Sequence, residues 1–273
     1  MAENPAVVAE HLWCAQGFRF VLRDLNFEVQ RGEIAVIVGV NGVGKSTLIA
    51  SIAGALSAAK GQVRVFGHAR RRSVEAEQAA RRMTVWLPDF AWLPDFMQVR
   101  EYLGAAAALF DVPASEAIDR IDGLLDLFAL TPAESRTLGS LSAGQKKKVG
   151  LCSALLADRG LLLLDEPFSG GLDPAGITAL KRVLKHRAET RGQCILLSTP
   201  VAELVTEMAD RLLVLQQGEL THHLDRTQLK SLLSGSPSPA DALNALIFPD
   251  AEQRIEKYLT HSGGQVPCDS GSD

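Results

Sequence analysis

Two short stretches of this chain carry residue types, at spacings, that can handle phosphate, and a third opens a helix. The first is Gly39-Val40-Asn41-Gly42-Val43-Gly44-Lys45-Ser46, a match to G-x-x-x-x-G-K-[ST]. Glycines so placed let the backbone turn its N–H groups inward around phosphate oxygens. The helix that must follow adds positive potential at its N-terminus. Lys45 is expected to reach the terminal phosphates and Ser46 to ligate Mg²⁺. The expected nucleotide contacts are Gly39, Asn41, Gly42, Gly44, Lys45, Ser46 and Thr47. The second stretch is Leu161-Leu162-Leu163-Leu164-Asp165-Glu166. An acid at the end of a buried strand is costly unless it faces a cation or donors. Asp165 is expected to hold Mg²⁺ through water, and Glu166 to polarise a water against the terminal phosphate. The third is Leu141-Ser142-Ala143-Gly144-Gln145, which by itself reads only as a helix start with Ser142 as N-cap.

Such groups work only if rigid elements present them. Residues 33–38 are a short, almost fully apolar run, as suits a strand covered on both faces. Residues 45–56 follow with Leu48, Ile52 and Leu56 four apart, one face of a helix. Arg19–Val29 and residues 62–66 read as further strands, so the first ~65 residues are mostly β. Residues ~97–158 read as helical, with Ile118, Ile121, Leu125 and Phe128 at helical spacing. Leu161–Leu164, 193–198 and 211–215 read as buried strands. Asp173-Pro174 opens a helix over 174–190 as N-cap and first residue. A further helix is expected from about Pro200, with Thr199 as its N-cap. Alternating strand and helix predicts a parallel α/β sheet with the helical block inserted into it. The tandem WLPDF, beginning at Trp86 and again at Trp92, predicts an irregular aromatic loop, because each proline disfavours helix before it.

Composition narrows the class. The 273 residues are 47% hydrophobic and 22% charged with a net charge of -4, which suits a globular core and not general nucleic-acid binding. Residues 161–164 and 105–110, the longest aliphatic stretches, fall far short of the ~20 needed to span a bilayer. The opening residues lack the basic end and apolar middle of a signal peptide. A cytoplasmic chain that reaches a membrane only through a partner is expected. Four scattered cysteines, Cys14, Cys152, Cys194 and Cys268, form no CxxC pair and no zinc spacing, so inert thiols are expected. The lysine run 146–148 and the arginines at 70–72, 81 and 82 read as solvated surface.

Taken together and in order, these motifs resemble the nucleotide-binding subunit of ATP-binding cassette (ABC) transporters, of the separately encoded exporter-like type. The resemblance covers residues ~8–220, with Leu141–Gln145 in the place of the signature and Gly171-Leu172-Asp173-Pro174 in that of the D-loop. It implies a P-loop NTPase core with a mostly parallel sheet, an N-terminal antiparallel β part and an inserted helical subdomain (about 97–158). An ATP-binding domain over 1–225, a short helical extension over 226–261 and a disordered tail over 262–273 are expected. It also implies a homodimer or heterodimer sandwiching two Mg-ATP. Ser142, Gly144, Gln145 and Asp173 of one protomer then complete the partner's site. A transmembrane permease on the inner face of the cell membrane would be touched by the loop around 86–100. Four departures bear on rate. Pro200 stands where the family has a phosphate-directed histidine, and losing one such donor costs ~10²–10³ in rate. Asp89 stands for the loop glutamine and could still bind Mg²⁺ or water. One extra residue lies between Glu166 and Pro174. Gln16 replaces the aromatic that stacks on adenine, leaving Trp13 or Phe18 as substitutes. The alternative expectation is a slow subunit, acting as an ATP-gated scaffold or beside a competent second cassette.

Overall fold

Alternating apolar residues must find two dry faces, and the chain supplies them with two sheets and a layer of helices. The computed structural model describes residues 4–90, 92–235, 238–249 and 251–262. In chain order it runs β1 (Val7–Gln16), β2 (Arg19–Val29), β3 (Ile34–Val38), α1 (Lys45–Ala53), β4 (Lys60–Val65), β5 (His68–Ala69), α2 (Val74–Arg82) and β6 (Thr84–Leu87). The helices α3 (Val99–Leu109), α4 (Ala114–Leu127) and α5 (Ala143–Leu156) come next. Then follow β7 (Leu161–Leu164), α6 (Pro174–Arg191), β8 (Cys194–Ser198), α7 (Ala202–Met208), β9 (Arg211–Gln216) and β10 (Glu219–Leu224). The chain continues through α8 (Arg226–Ser234), α9 (Pro239–Ile247) and α10 (Ala251–Ser262).

The larger sheet has the order β10-β9-β3-β8-β7-β6 and is parallel except for β10. The smaller, antiparallel sheet has the order β2-β1-β4-β5. Within β3, Ile34, Val36 and Val38 join the core under the helices, while Ala35 and Ile37 join the core shared with α1 and the antiparallel sheet. β7 divides the same way, Leu162 and Leu164 against Leu161 and Leu163. This is the P-loop NTPase core with an antiparallel β part and an inserted helical block. The central order puts β3, β8 and β7 side by side, so the segments leaving their C-terminal ends open at one edge.

Several expectations need correction. Thr84–Leu87 is an edge strand paired in parallel with β7, so Trp86 and Leu87 belong to the sheet and the irregular loop starts at Pro88. Strand propensity of Val85 and Trp86 outweighs the nearby proline, which an edge position tolerates. Thr199-Pro200 does not open α7. That helix starts at Ala202, and the Thr199 Oγ1 instead accepts from the Val201 N–H at 3.1 Å. Ile118 faces solvent, while Ile121, Leu125 and Phe128 fill the helical core. Arg70 is not surface: its side chain is 5% exposed. It donates to the Ile52 carbonyl (2.9 Å), Glu77 Oε1 (3.3 Å) and Thr84 Oγ1 (3.1 Å), tying α1, α2 and β6 together. Nor are Lys147 and Lys148 a solvated face, since both are buried. Cys14, Cys152 and Cys194 are buried free thiols, and burial pushes the Cys152 thiol up to about 12. Cys268 and residues 263–273 lie outside the described residues. Among the described residues no helix is long and apolar enough to cross a membrane.

Candidate functional site

The first motif leaves β3 and turns into α1 through three glycines at positive φ: Gly39 (154°), Gly42 (79°) and Gly44 (117°). A Cβ on Gly39 would lie 2.3 Å from the Leu215 carbonyl oxygen of β9, so only glycine lets the loop pass this close to the sheet. The loop borders an open cleft of about 870 Å³. Gln16, Phe20, Lys45, Thr47, Asp89 and Glu166 are among its walls, together with Asn41, Gly42, Gly44 and Ser46. Lys45 is 4% exposed, and its Nζ donates to the Gly39 carbonyl at 3.0 Å and to Asn41 Oδ1 at 3.4 Å. It also lies 3.4 Å from Glu166 Oε1, so an ammonium and a carboxylate face each other across the cleft. Anionic phosphoryl oxygens entering there would compete with Glu166 for that ammonium.

The acidic pair is held by a residue that sequence reasoning missed. Ser198, at the end of β8, donates its hydroxyl to Asp165 Oδ1 at 2.6 Å and accepts from the Glu166 N–H at 2.9 Å. A polar residue closing a fully apolar strand was the available signal. Asp165 is 3% exposed, and one of its oxygens is fixed by Ser198. Glu166 adopts φ 45°, a left-handed conformation costing about 1–3 kcal/mol for a non-glycine residue, of a kind that collects at functional sites. A serine hydroxyl and a carboxylate are oxygen donors of the kind a hydrated divalent cation takes from protein, with others from phosphate and water; Ser46 stands on the cleft wall and Asp165 behind it. Among the described residues no cluster of three or more His, Cys, Asp or Glu could hold a metal alone.

The structure brings Glu166, Asp89 and the glycine loop together and leaves Ser142, Gly144, Gln145 and Asp173 off the cleft wall. Those four are engaged within the chain. Ser142 Oγ accepts from the Gln145 N–H (3.2 Å) and Gln145 Oε1 accepts from the Ser142 N–H (3.1 Å), a reciprocal cap on α5. A Cβ on Gly144 would meet the Gly171 carbonyl oxygen at 2.4 Å. Gly170 and Gly171, where the chain carries its additional residue, both have positive φ and form that turn. Asp173 caps α6 through the Gly176 N–H (2.7 Å) and pairs with Lys148 Nζ (2.7 Å). Lys148, then the Gly176 N–H, holds the Asp173 carboxyl below the usual range. Asp89 Oδ1 lies 3.1 Å from Lys147 Nζ. Of the proposed base-stacking residues, Phe18 projects fully into solvent at the β1–β2 turn, and Trp13 packs edge-on against Phe20 with centroids 5.2 Å apart. Phe20, which sequence reasoning passed over, is the aromatic on the cleft wall.

Comparison with known proteins agrees with this geometry. The ABC transporter family model matches residues 22–169. An uncharacterised ABC transporter ATP-binding protein of Bacillus subtilis (strain 168), YdbJ, is 30% identical over 251 residues, 90% of this chain and 79% of that protein. The solved ATP-binding subunit of an ABC transporter superposes with a TM-score of 0.79 at 27% identity, covering 89% of this chain and 99% of that one. The dimeric bacterial ABC transporter cassette MJ0796 shares the fold, with a TM-score of 0.72 at 19% identity over 81% of this chain and 98% of that one. With the glycine loop, the acidic strand end and the capped Ser-Ala-Gly-Gln helix in place, the chain belongs to the ABC transporter family, as an ATP-binding subunit.

Proposed function

We propose that this subunit binds Mg-ATP in the cleft, dimerises around it, hydrolyses it and thereby drives a transmembrane permease. The observation that carries the reading is the buried Lys45 ammonium set between the glycine loop and Glu166. In it, inward backbone N–H groups and Lys45 hold the phosphates, and Phe20 stacks on the base. Ser46 and Asp165 hold Mg²⁺, which supplies Lewis-acid neutralisation of phosphate charge when bound. Glu166, fixed by Ser198 and Ser169, accepts a proton from the attacking water. The capped N-terminus of α5 presents Ser142, Gly144 and Gln145 to a partner protomer's nucleotide, and Asp173 lies at the same face. Each ATP then belongs to the interface, so binding closes the pair and hydrolysis opens it. Phe90, Trp92 and Phe96 stand exposed on one loop and form the surface offered to the permease. Sedimentation tests this: Glu166→Gln with Mg-ATP should shift from monomer to dimer, and persistence of a monomer at saturating nucleotide would refute it.

A second, narrower reading concerns rate. Pro200 follows β8 with neither a polar side chain nor an N–H, where the family places a histidine. Slow hydrolysis is the consequence. Pro200→His should raise turnover by ~10-fold or more, towards the ~10²–10³ that one donor contributes. Equal turnover in the two proteins would show that this position does not limit the rate.

A further inference from the structure

The lysine run at the start of α5 is taken up by three different aspartates. Lys146 Nζ lies 3.0 Å from Asp95 Oδ1, Lys147 Nζ 3.1 Å from Asp89 Oδ1, and Lys148 Nζ 2.7 Å from Asp173 Oδ2. The middle pair differs from its neighbours. The Lys147 side chain is 7% exposed, and its Nζ also donates to the Asp89 main-chain carbonyl at 3.1 Å, so backbone and side chain are both gripped. Ser169 Oγ lies 3.2 Å from the same Asp89 Oδ1 and 2.8 Å from the Glu166 carbonyl. Asp89 therefore joins three pieces: the aromatic loop after β6, the helix that starts at Ser142, and the turn that follows Glu166.

We propose that Asp89 is the fixed counter-ion of Lys147 and not a ligand of the metal, and that Lys147 is the positioning residue that makes the aromatic loop and α5 respond together to nucleotide. This deepens the Mg-ATP reading of the cleft and rests on it. Charge balance carries the argument. Among the described residues Asp89 is the one carboxylate within ion-pair distance of Lys147. A metal that drew Asp89 Oδ1 away from Lys147 would leave a buried ammonium with only a main-chain carbonyl, which is strongly unfavourable. The metal is then left to Ser46 and Asp165, and Asp89 serves as a tether instead. Glu166 and Ser169 report the state of the cleft to Asp89, and Lys147 passes it to α5.

The test uses the full chain and two readouts. Without nucleotide, Lys147→Met and Asp89→Asn should each raise amide exchange over residues 88–97 about tenfold, whereas Lys147→Arg should keep the protection. With ATP, the change in exchange over 88–97 seen in the unmodified protein should vanish in Lys147→Met and return in Lys147→Arg, a response that a merely structural lysine would not control. In parallel, Mn²⁺ affinity of the ATP-bound protein, read by electron paramagnetic resonance, should change less than twofold in Asp89→Asn and fall tenfold or more in Ser46→Ala. A tenfold loss in Asp89→Asn would put the carboxylate on the metal and overturn the proposal. So would an ATP response retained in Lys147→Met, or unchanged nucleotide-free exchange in both single variants. If the unmodified protein bound no ATP, the reading of the cleft would fail, and the nucleotide-free exchange would still decide the tether.

Discussion

Replacing Gly144 with alanine sets two physical effects against each other. Gly144 lies in the first turn of α5 and is not among the glycines at positive φ, so propensity alone makes alanine better by about 1 kcal/mol. The added Cβ, however, would stand 2.4 Å from the Gly171 carbonyl oxygen, about 1 Å inside ordinary contact. Both partners are main chain: one is a capped helix start, the other a turn built on two glycines at positive φ. Neither can swing aside, so the overpacking cost of about 1–3 kcal/mol applies. Gly104 in α3 and Gly123 in α4 are the controls, because a Cβ on either meets nothing within 4 Å. Each of those alanine variants should gain about 0.5–1 kcal/mol, or about 1–4 °C in melting temperature, at ~2–4 °C per kcal/mol for a protein of this size. Gly144→Ala should instead gain nothing and lose up to about 2 kcal/mol relative to the unmodified protein, a fall of up to about 8 °C. Thermal unfolding by circular dichroism, without nucleotide and at one scan rate, reads all three. If Gly144→Ala melted as high as Gly123→Ala, this glycine would not be needed for contact within its own chain, and its role would lie wholly with a partner.

Phe20→Ala should weaken ATP binding by about 1–3 kcal/mol, the worth of one stacked base, while Phe18→Ala leaves it unchanged. Fluorescent-nucleotide titration checks both; equal losses would remove Phe20 from the base site. His223 Nε2 sits 2.8 Å from Arg211 Nη1, and burial, then Arg211, pushes its pKa below the usual histidine range. A depressed folded pKa means the unfolded chain takes up the proton first. The stability it contributes is complete above pH ~6.5 and is lost as pH falls through the folded value. His223→Gln should flatten the fall of the melting temperature below about pH 6.5; an unchanged slope would place the titration elsewhere.

The dry centre of the fold was legible because uninterrupted apolar runs such as Leu161–Leu164 have few other uses. The glycine loop was legible because its spacing encodes its conformation. Edge elements were not. Thr84–Leu87 lies beside a proline, and Glu219–Leu224 has three exposed residues and three half-buried ones, so neither shows a clean period in the sequence. Long-range pairings were also hidden. Nothing in a run of lysines tells a solvated face from three ion pairs, because Asp89 is 58 residues away from Lys147 and only the fold joins them. Likewise Gly144 reads as a helix residue until Gly171 is seen against it. Ser198 and Phe20 were missed because one hydroxyl and one aromatic in strands carry no motif of their own.

The claim beneath everything else is that the loop over residues 39–46 holds a nucleotide's phosphates through Lys45. Calorimetric titration of Mg-ATP into the unmodified protein and into Lys45→Ala tests it most directly. Saturable binding at one site per chain, weakened tenfold or more by the substitution, is the expected result. Equal affinity in the two proteins, or no binding to either, would contradict it.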